Sequence, residues 1–182
     1  MSISKTLDSL LGNPLRALQG SKRCNTPEKL YAYMKGKDYD ALHFWVEARM
    51  WYVSDNSGRQ AKPWRQNWTP LAKVLARDVP GKEIESDCEE RAMAKARVIN
   101  ALKWGHAEIL CTQCQNVLKN HAVCIAWDAK GIRVMDYQMR VFPLGTDITA
   151  IVKALFPDAQ TYCYCNEEGF PTTPKYLVRM TA

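Results

Sequence analysis

The hydrophobic period of this chain changes near Gly105, and this change constrains the fold more than any other feature. Before Gly105, apolar residues recur at helical spacing, as over residues 40–53 and from Cys88 to about Trp104. After it, short runs such as 107–112 alternate apolar and polar positions, which is typical of strands. Helices followed by strands, without a linker or an internal repeat, indicate an α+β fold.

The second half of the chain predicts an antiparallel sheet. Strands are expected over residues 107–112, 121–127, 132–136, 161–165 and 175–180, with an edge piece at 141–144 and a helix at 147–155. We therefore expect an N-terminal helical layer, which carries the Cys88 helix, to pack on a C-terminal antiparallel sheet. The prediction is a single domain over residues 1–182, with residues 1–25 as an N-terminal arm.

Composition limits the class of protein. The 25 basic and 19 acidic residues give a net charge of +6, and the basic residues are scattered, which argues against nucleic-acid binding. No apolar run approaches the roughly 20 residues of a membrane span, and the N-terminus does not resemble a signal peptide. The odd number of cysteines, seven, favours reduced thiols and predicts a cytoplasmic protein.

Cys88 is the candidate nucleophile. Ser86 and Glu89 have the spacing of a capping box, so a helix is expected to begin there and to hold Cys88 in its first turn. The positive end of the helix dipole would favour a thiolate, which is the form that attacks a carbonyl carbon. An apolar stripe lies on the same side of the helix as Cys88 (Ala92, Ala96, Ile99, Leu102), so the sulfur should face the protein body.

His121 and Asp136 are the candidate partners of Cys88. They lie on two strands that a turn at residues 128–131 joins into a hairpin. If Trp127 pairs with Ile132, Asp136 becomes the diagonal neighbour of His121 on the same face. A carboxylate bound to one imidazole nitrogen would fix the tautomer and leave the other nitrogen for the sulfur.

The segments that carry these residues resemble a known family. They are Tyr52-Val53-Ser54-Asp55, Trp68-Thr69-Pro70, the run from Asp87 to Lys95, His121-Ala122-Val123 and Val134-Met135-Asp136. Together they resemble the bacterial transglutaminase-like cysteine proteases, which belong to the transglutaminase-like, papain-related superfamily. The resemblance covers roughly residues 45 to 140.

The resemblance implies a papain-like fold and a triad in which Cys88 is the nucleophile, His121 the base and acid, and Asp136 the orienting residue. It implies acyl transfer from a protein or peptide substrate through a thioester. Water as acceptor gives a cysteine peptidase or amidase, and an amine as acceptor gives a cross-linking transferase. Trp68 would line the substrate groove, although packing of the helical layer is the more common role of such a residue.

Calcium is the one metal that the resemblance implies, and no cofactor is otherwise required. Asp87 and Glu89 match acidic positions that flank the cysteine in calcium-binding members of the family. Carboxylate oxygens suit this ion, but Glu89 is also the expected capping residue, so the two roles compete.

This chain departs from the family pattern at three positions. Ser86 stands where the family usually has Gly, Glu90 where it has Asp, and Tyr137 where it has Asn. The adhesin-cleaving members are exported or act at the periplasmic face, whereas no export signal is recognised here. The substrate of those members is therefore not carried over.

Several other roles remain open from the sequence. One alternative hypothesis is a catalytically silent interaction module on the same fold. Another is a basic nucleic-acid-binding protein, whose binding would depend steeply on salt. Four further cysteines (Cys111, Cys114, Cys163, Cys165) are enough for a zinc site, although packing in strands is the more common role of such thiols. The oligomeric state is not determined by the sequence.

Overall fold

The computed structural model describes residues 22–53, 68–80, 82–116, 120–172 and 178–179, and these form a mixed α+β fold. Residues 1–21, which make up most of the predicted N-terminal arm, lie outside the described residues. So does most of the predicted strand at 175–180. No helix in the described parts of the chain has the length and apolar character needed to cross a membrane.

In the described residues, four helices precede the large sheet. They are α1 (Pro27–Met34), α2 (Tyr39–Arg49), α3 (Leu71–Leu75) and α4 (Cys88–Ala101). Side-chain caps start three of them: Thr26 accepts the N–H of Lys29, Asp38 accepts the N–H of Ala41, and Asp87 accepts the N–H of Glu90. These polar caps supply partners to N–H groups that would otherwise lack an acceptor at the helix start.

The helix predicted over residues 40–53 ends early. Its last residues form β1 (Met50–Tyr52), which pairs in parallel with β2 (Ile84–Ser86), a strand that the sequence did not predict. Met50 is buried in the strand, and it also falls on the apolar stripe of the predicted helix, so hydrophobic spacing could not distinguish a helix from a strand here. Pairing with β2, which continues through the bond from Val53 N–H to Ser86 O, determines the outcome.

The second half of the chain forms an antiparallel sheet, as predicted. Its strands are β3 (His106–Cys114), β4 (His121–Asp128), β5 (Gly131–Met135), β6 (Met139–Phe142), β7 (Ala159–Cys165) and β8 (Val178–Arg179). They lie side by side in the order β6-β5-β4-β3-β7-β8, and every neighbouring pair is antiparallel. The expected pairing of Trp127 with Ile132 is confirmed in the β4–β5 hairpin.

Each face of the sheet has its own hydrophobic core. On one face, α4 packs on β3 and β4 and is itself covered by the other N-terminal helices, with Trp45 of α2 fully buried between them. On the other face, α5 (Ile148–Leu155) contributes Ile151 and Val152 to a second core, which also contains Leu110, Val123 and Val134. The predicted packing of the helical layer on the sheet is therefore present, and it brings the first turn of α4 to β4.

Candidate active site

The helix that carries Cys88 begins one residue later than predicted. Asp87 is its N-cap and accepts the N–H of Glu90 (2.8 Å), whereas Ser86 belongs to β2 and donates its hydroxyl to Trp51 O (3.3 Å). The predicted Ser86–Glu89 capping box is therefore wrong, because Asp87 caps the helix, the Ser86 hydroxyl bonds to the neighbouring strand and the Glu89 carboxylate accepts the Cys88 thiol. Cys88 is still in the first turn, as its first residue, and its side chain packs against the core as predicted.

The three candidate catalytic residues lie in the wall of one pocket. Cys88 comes from the start of α4, His121 from the start of β4, and Asp136 from the residue after β5. The walls are completed by Tyr52, Arg91, Ala92, Lys95, Ala122, Met135 and Tyr137. The first turn of a helix and the open end of a hairpin thus meet at one point of the surface.

His121 and Asp136 are hydrogen-bonded. The distance between His121 Nε2 and Asp136 Oδ1 is 2.7 Å, so Nδ1 is the imidazole nitrogen that this bond leaves available. Burial by itself raises the pKa of Asp136, but the hydrogen bond and charge of His121, with the nearby ammonium of Lys95, outweigh it and lower that pKa. The carboxylate is therefore ionised at neutral pH, as an orienting residue requires.

Two aromatic rings fix the plane of the His121 imidazole. Tyr137 is stacked on it at 6.0 Å between ring centroids, with 15° between the planes, and Phe156 meets it edge-on at 5.9 Å. Tyr137 is the residue that stands in place of the Asn of the family pattern. The aromatic face of Tyr137 therefore covers one side of the imidazole. The Asn of the family pattern has no ring, so the resemblance did not predict this contact.

The Cys88 thiol is protonated at rest, which corrects the expectation of a thiolate. Burial is the main reason that its pKa is raised well above the ordinary value, and the carboxylates of Glu89 and Asp87 raise it further. Its S–H donates to Glu89 Oε2 at 3.3 Å. The backbone of Ala122 lowers this pKa, but its effect is smaller than that of burial.

We expect Glu89→Gln to speed alkylation of Cys88 by iodoacetamide near pH 7. The substitution removes a negative charge beside the sulfur, so the thiol pKa should fall and the rate-against-pH curve should shift to lower pH. Peptide mapping of the alkylated protein gives the rate at Cys88 separately from the six buried cysteines. Glu85→Gln, an equal change of charge at an exposed residue, serves as the control and should leave the curve in place. An unshifted curve for Glu89→Gln would contradict the assigned contact.

A buried ion-pair network beside the pocket was not predicted. Glu47 of α2 pairs with Arg91 and with Lys95 of α4, and the Lys95 side chain is only 2% exposed. Lys95 Nζ also donates to the carbonyl oxygens of Met135 (3.2 Å) and Asp136 (3.1 Å). The ammonium therefore ties α4 to the end of β5 that carries the Asp136 carboxylate. The sequence signal was the spacing of Cys88, Arg91 and Lys95, which places two charges on the cysteine's side of the helix.

His43 adjoins this network. Burial and then the charge of Lys95 lower the pKa of His43 to about 4, so the imidazole is neutral at physiological pH. It lies on α2, packed inside the helical layer with 8% of its surface exposed. Its neutral state avoids a third positive charge next to Arg91 and Lys95.

Trp68 makes packing contacts in this structure. It is half-buried and packs against the N-terminal core. Its ring also lies against Gly169, where an added Cβ would approach Trp68 Cδ2 to 2.3 Å, so only glycine fits there. Trp68 is not among the residues of the pocket wall, and its observed contacts are those of a packing residue.

Asp87 and Glu89 do not fit a calcium site. The Asp87 carboxylate caps α4, and the Glu89 carboxylate accepts the Cys88 thiol. Calcium takes six to eight oxygen ligands, yet among the described residues no third carboxylate joins these two in a group that could hold a metal ion. The acidic pair therefore acts on the helix and the thiol.

Comparison with known proteins does not identify a family. No protein-family model matches this chain, and no curated protein matches it. The resemblance to transglutaminase-like cysteine proteases therefore stays a prediction from the residues.

Proposed function

We propose that this chain is a cysteine peptidase or amidase that works by thiol-dependent acyl transfer, on a transglutaminase-like, papain-related fold. The observation that carries the proposal is the 2.7 Å hydrogen bond between His121 and Asp136 in the wall of the pocket that contains Cys88. Nucleophile, base and orienting residue are the three parts that such a mechanism requires, and here they come from three separate elements.

Acylation begins with the protonated thiol. Nδ1 of His121 removes the thiol proton as the sulfur attacks the carbonyl carbon of a peptide or amide bond. The Cys88 S–H must first leave Glu89, the acceptor that it has in this structure. The new C–S bond gives a tetrahedral oxyanion, and the backbone N–H of Cys88 is the expected donor to it because it lies at the start of α4.

Deacylation returns the sulfur to its starting state. Collapse of the oxyanion breaks the C–N bond, and the imidazolium gives its proton to the leaving amine. Water then attacks the thioester with His121 as base, the C–S bond breaks, and the acid product and the Cys88 thiol are released. Asp136 stays ionised throughout and stabilises the imidazolium in both halves of the cycle.

A second candidate is a catalytically silent interaction module on the same fold. It is favoured by the raised pKa of Cys88 and by the bond from its thiol to Glu89, since both stabilise an unreactive thiol. The two candidates differ in one property. The enzyme needs His121 to activate Cys88, whereas the module would bind its partner equally well with Cys88→Ala.

Incubation with an unfolded protein such as casein in water enriched in oxygen-18 tests the proposal. Hydrolysis should place the heavy isotope in new carboxyl termini or in side-chain carboxylates formed from amides, and Cys88→Ser should abolish this. A labelled primary amine in the same reaction detects amine transfer, which would replace water as the acceptor. If the products contain neither oxygen-18 nor the labelled amine, and Cys88 carries no covalent species, the silent module is favoured. Cys124→Ser, which removes a fully buried thiol outside the pocket, is the matched control.

A further inference from the structure

Three cysteines outside the pocket converge inside the protein. Cys163 and Cys165 are two positions apart on β7 and therefore lie on the same face, and Cys111 of β3 is directly opposite Cys163. Their sulfur atoms all lie within 4.8 Å of one another, and the three residues are at most 3% exposed. Cys114, the fourth cysteine that the sequence suggested for a zinc site, belongs to the core on the other face of the sheet.

The three sulfurs form a compact donor set. They come from two neighbouring strands, lie close together and are shielded from solvent by the core. Thiolate sulfurs are the ligands that a soft metal ion prefers.

The spacing and the number of the sulfur ligands indicate which metal ion fits. A metal–sulfur distance of about 2.3 Å places three ligands around one ion about 4 Å apart, which is compatible with sulfur atoms that all lie within 4.8 Å of one another. Structural zinc sites almost always have four protein ligands, but among the described residues no fourth His, Cys, Asp or Glu joins these three. Cu(I) is a soft ion that thiolates select, and three sulfurs are enough to complete its coordination.

We propose that Cys111, Cys163 and Cys165 form a trigonal site for Cu(I). Binding adds metal–sulfur bonds and releases thiol protons to solvent, with no change in the oxidation state of copper or sulfur. The bound ion would join β3 to β7 in the interior of the sheet. The proposal does not rest on the Cys88 chemistry, so either can fail without the other.

Anaerobic competition with a chromogenic Cu(I) chelator tests the site in the reduced full-length chain. We expect one tightly held Cu(I) per chain. Cys163→Ser should lower the affinity for Cu(I) by more than roughly 100-fold. Loss of a residue that only hydrogen-bonds to a metal ligand costs at most about that much, so a larger loss indicates a direct ligand. Cys124→Ser should retain the wild-type affinity, because Cys124 is equally buried in the same core but lies outside the cluster.

X-ray absorption at the copper edge of the wild-type protein gives a result that does not depend on the folding of a variant. Three sulfur neighbours per copper would support the site. Fewer than three sulfurs, an equal loss of affinity in Cys124→Ser, or binding of Zn(II) with exclusion of Cu(I) would overturn it.

Discussion

His121→Ala is expected to slow acylation of Cys88 by a small activated ester roughly 100- to 10,000-fold, the range that a positioned base contributes. The effect should be large because the Cys88 thiol is protonated at rest, through its burial and the Glu89 carboxylate. Without the imidazole, the described pocket wall offers no other histidine to take the proton. Mass spectrometry of the intact protein, followed by peptide mapping, measures the acyl group on Cys88.

A second variant and a control test why acylation of Cys88 becomes slower. Asp136→Asn keeps the imidazole but removes the charge that stabilises its protonated form, so it should also slow acylation. His106→Ala is the control, because this exposed histidine lies at the far end of the β3–β4 pair from His121. Equal rates for the wild type and for His121→Ala would leave Cys88 without its proposed base and would favour the silent module.

Glu47→Ala is expected to lower the free energy of unfolding by roughly 3–5 kcal/mol, the usual cost of breaking a buried ion pair by removing one partner. Glu47 is the anion shared by Arg91 and Lys95, whose side chains are 9% and 2% exposed. Its loss leaves two buried cations without a carboxylate. Urea unfolding, with the free energy extrapolated to water, measures the effect.

The same substitution at an exposed residue separates this network from a general effect of charge. Glu83→Ala removes an equal charge from an exposed position and should change the free energy of unfolding by no more than about 0.5 kcal/mol. A folded Glu47→Ala protein should also acylate Cys88 more slowly, because Lys95 holds the backbone that carries Asp136. A loss of less than about 1 kcal/mol would show that solvent or other groups compensate the two cations.

The hairpin that carries His121 and Asp136 was predictable because its register is set locally. The turn after Asp128 ends in Gly131, whose φ of 148° and close approach to Phe142 O exclude a side chain, and the strands pair outward from this turn. Once Trp127 is opposite Ile132, the positions of both site residues follow. Two-residue alternation then assigns the faces of the sheet.

The features that the sequence did not reveal depend on contacts between distant segments. Met50 to Tyr52 becomes a strand because residues 84–86, more than thirty positions later, provide a parallel partner. The same pairing makes Asp87 the helix cap in place of Ser86. From the sequence, Lys95 is an ordinary helix-forming residue that would be expected at the surface. Its burial is possible because Glu47 and two backbone carbonyl groups of the Met135–Asp136 segment bind its ammonium group.

The two aromatic rings around His121 have an entropic consequence. Held between Tyr137 and Phe156 and bonded to Asp136, the imidazole loses its rotational freedom when the chain folds. A proton transfer through Nδ1 would therefore begin from an already ordered ring, and the ordering would not add to the activation barrier in each turnover.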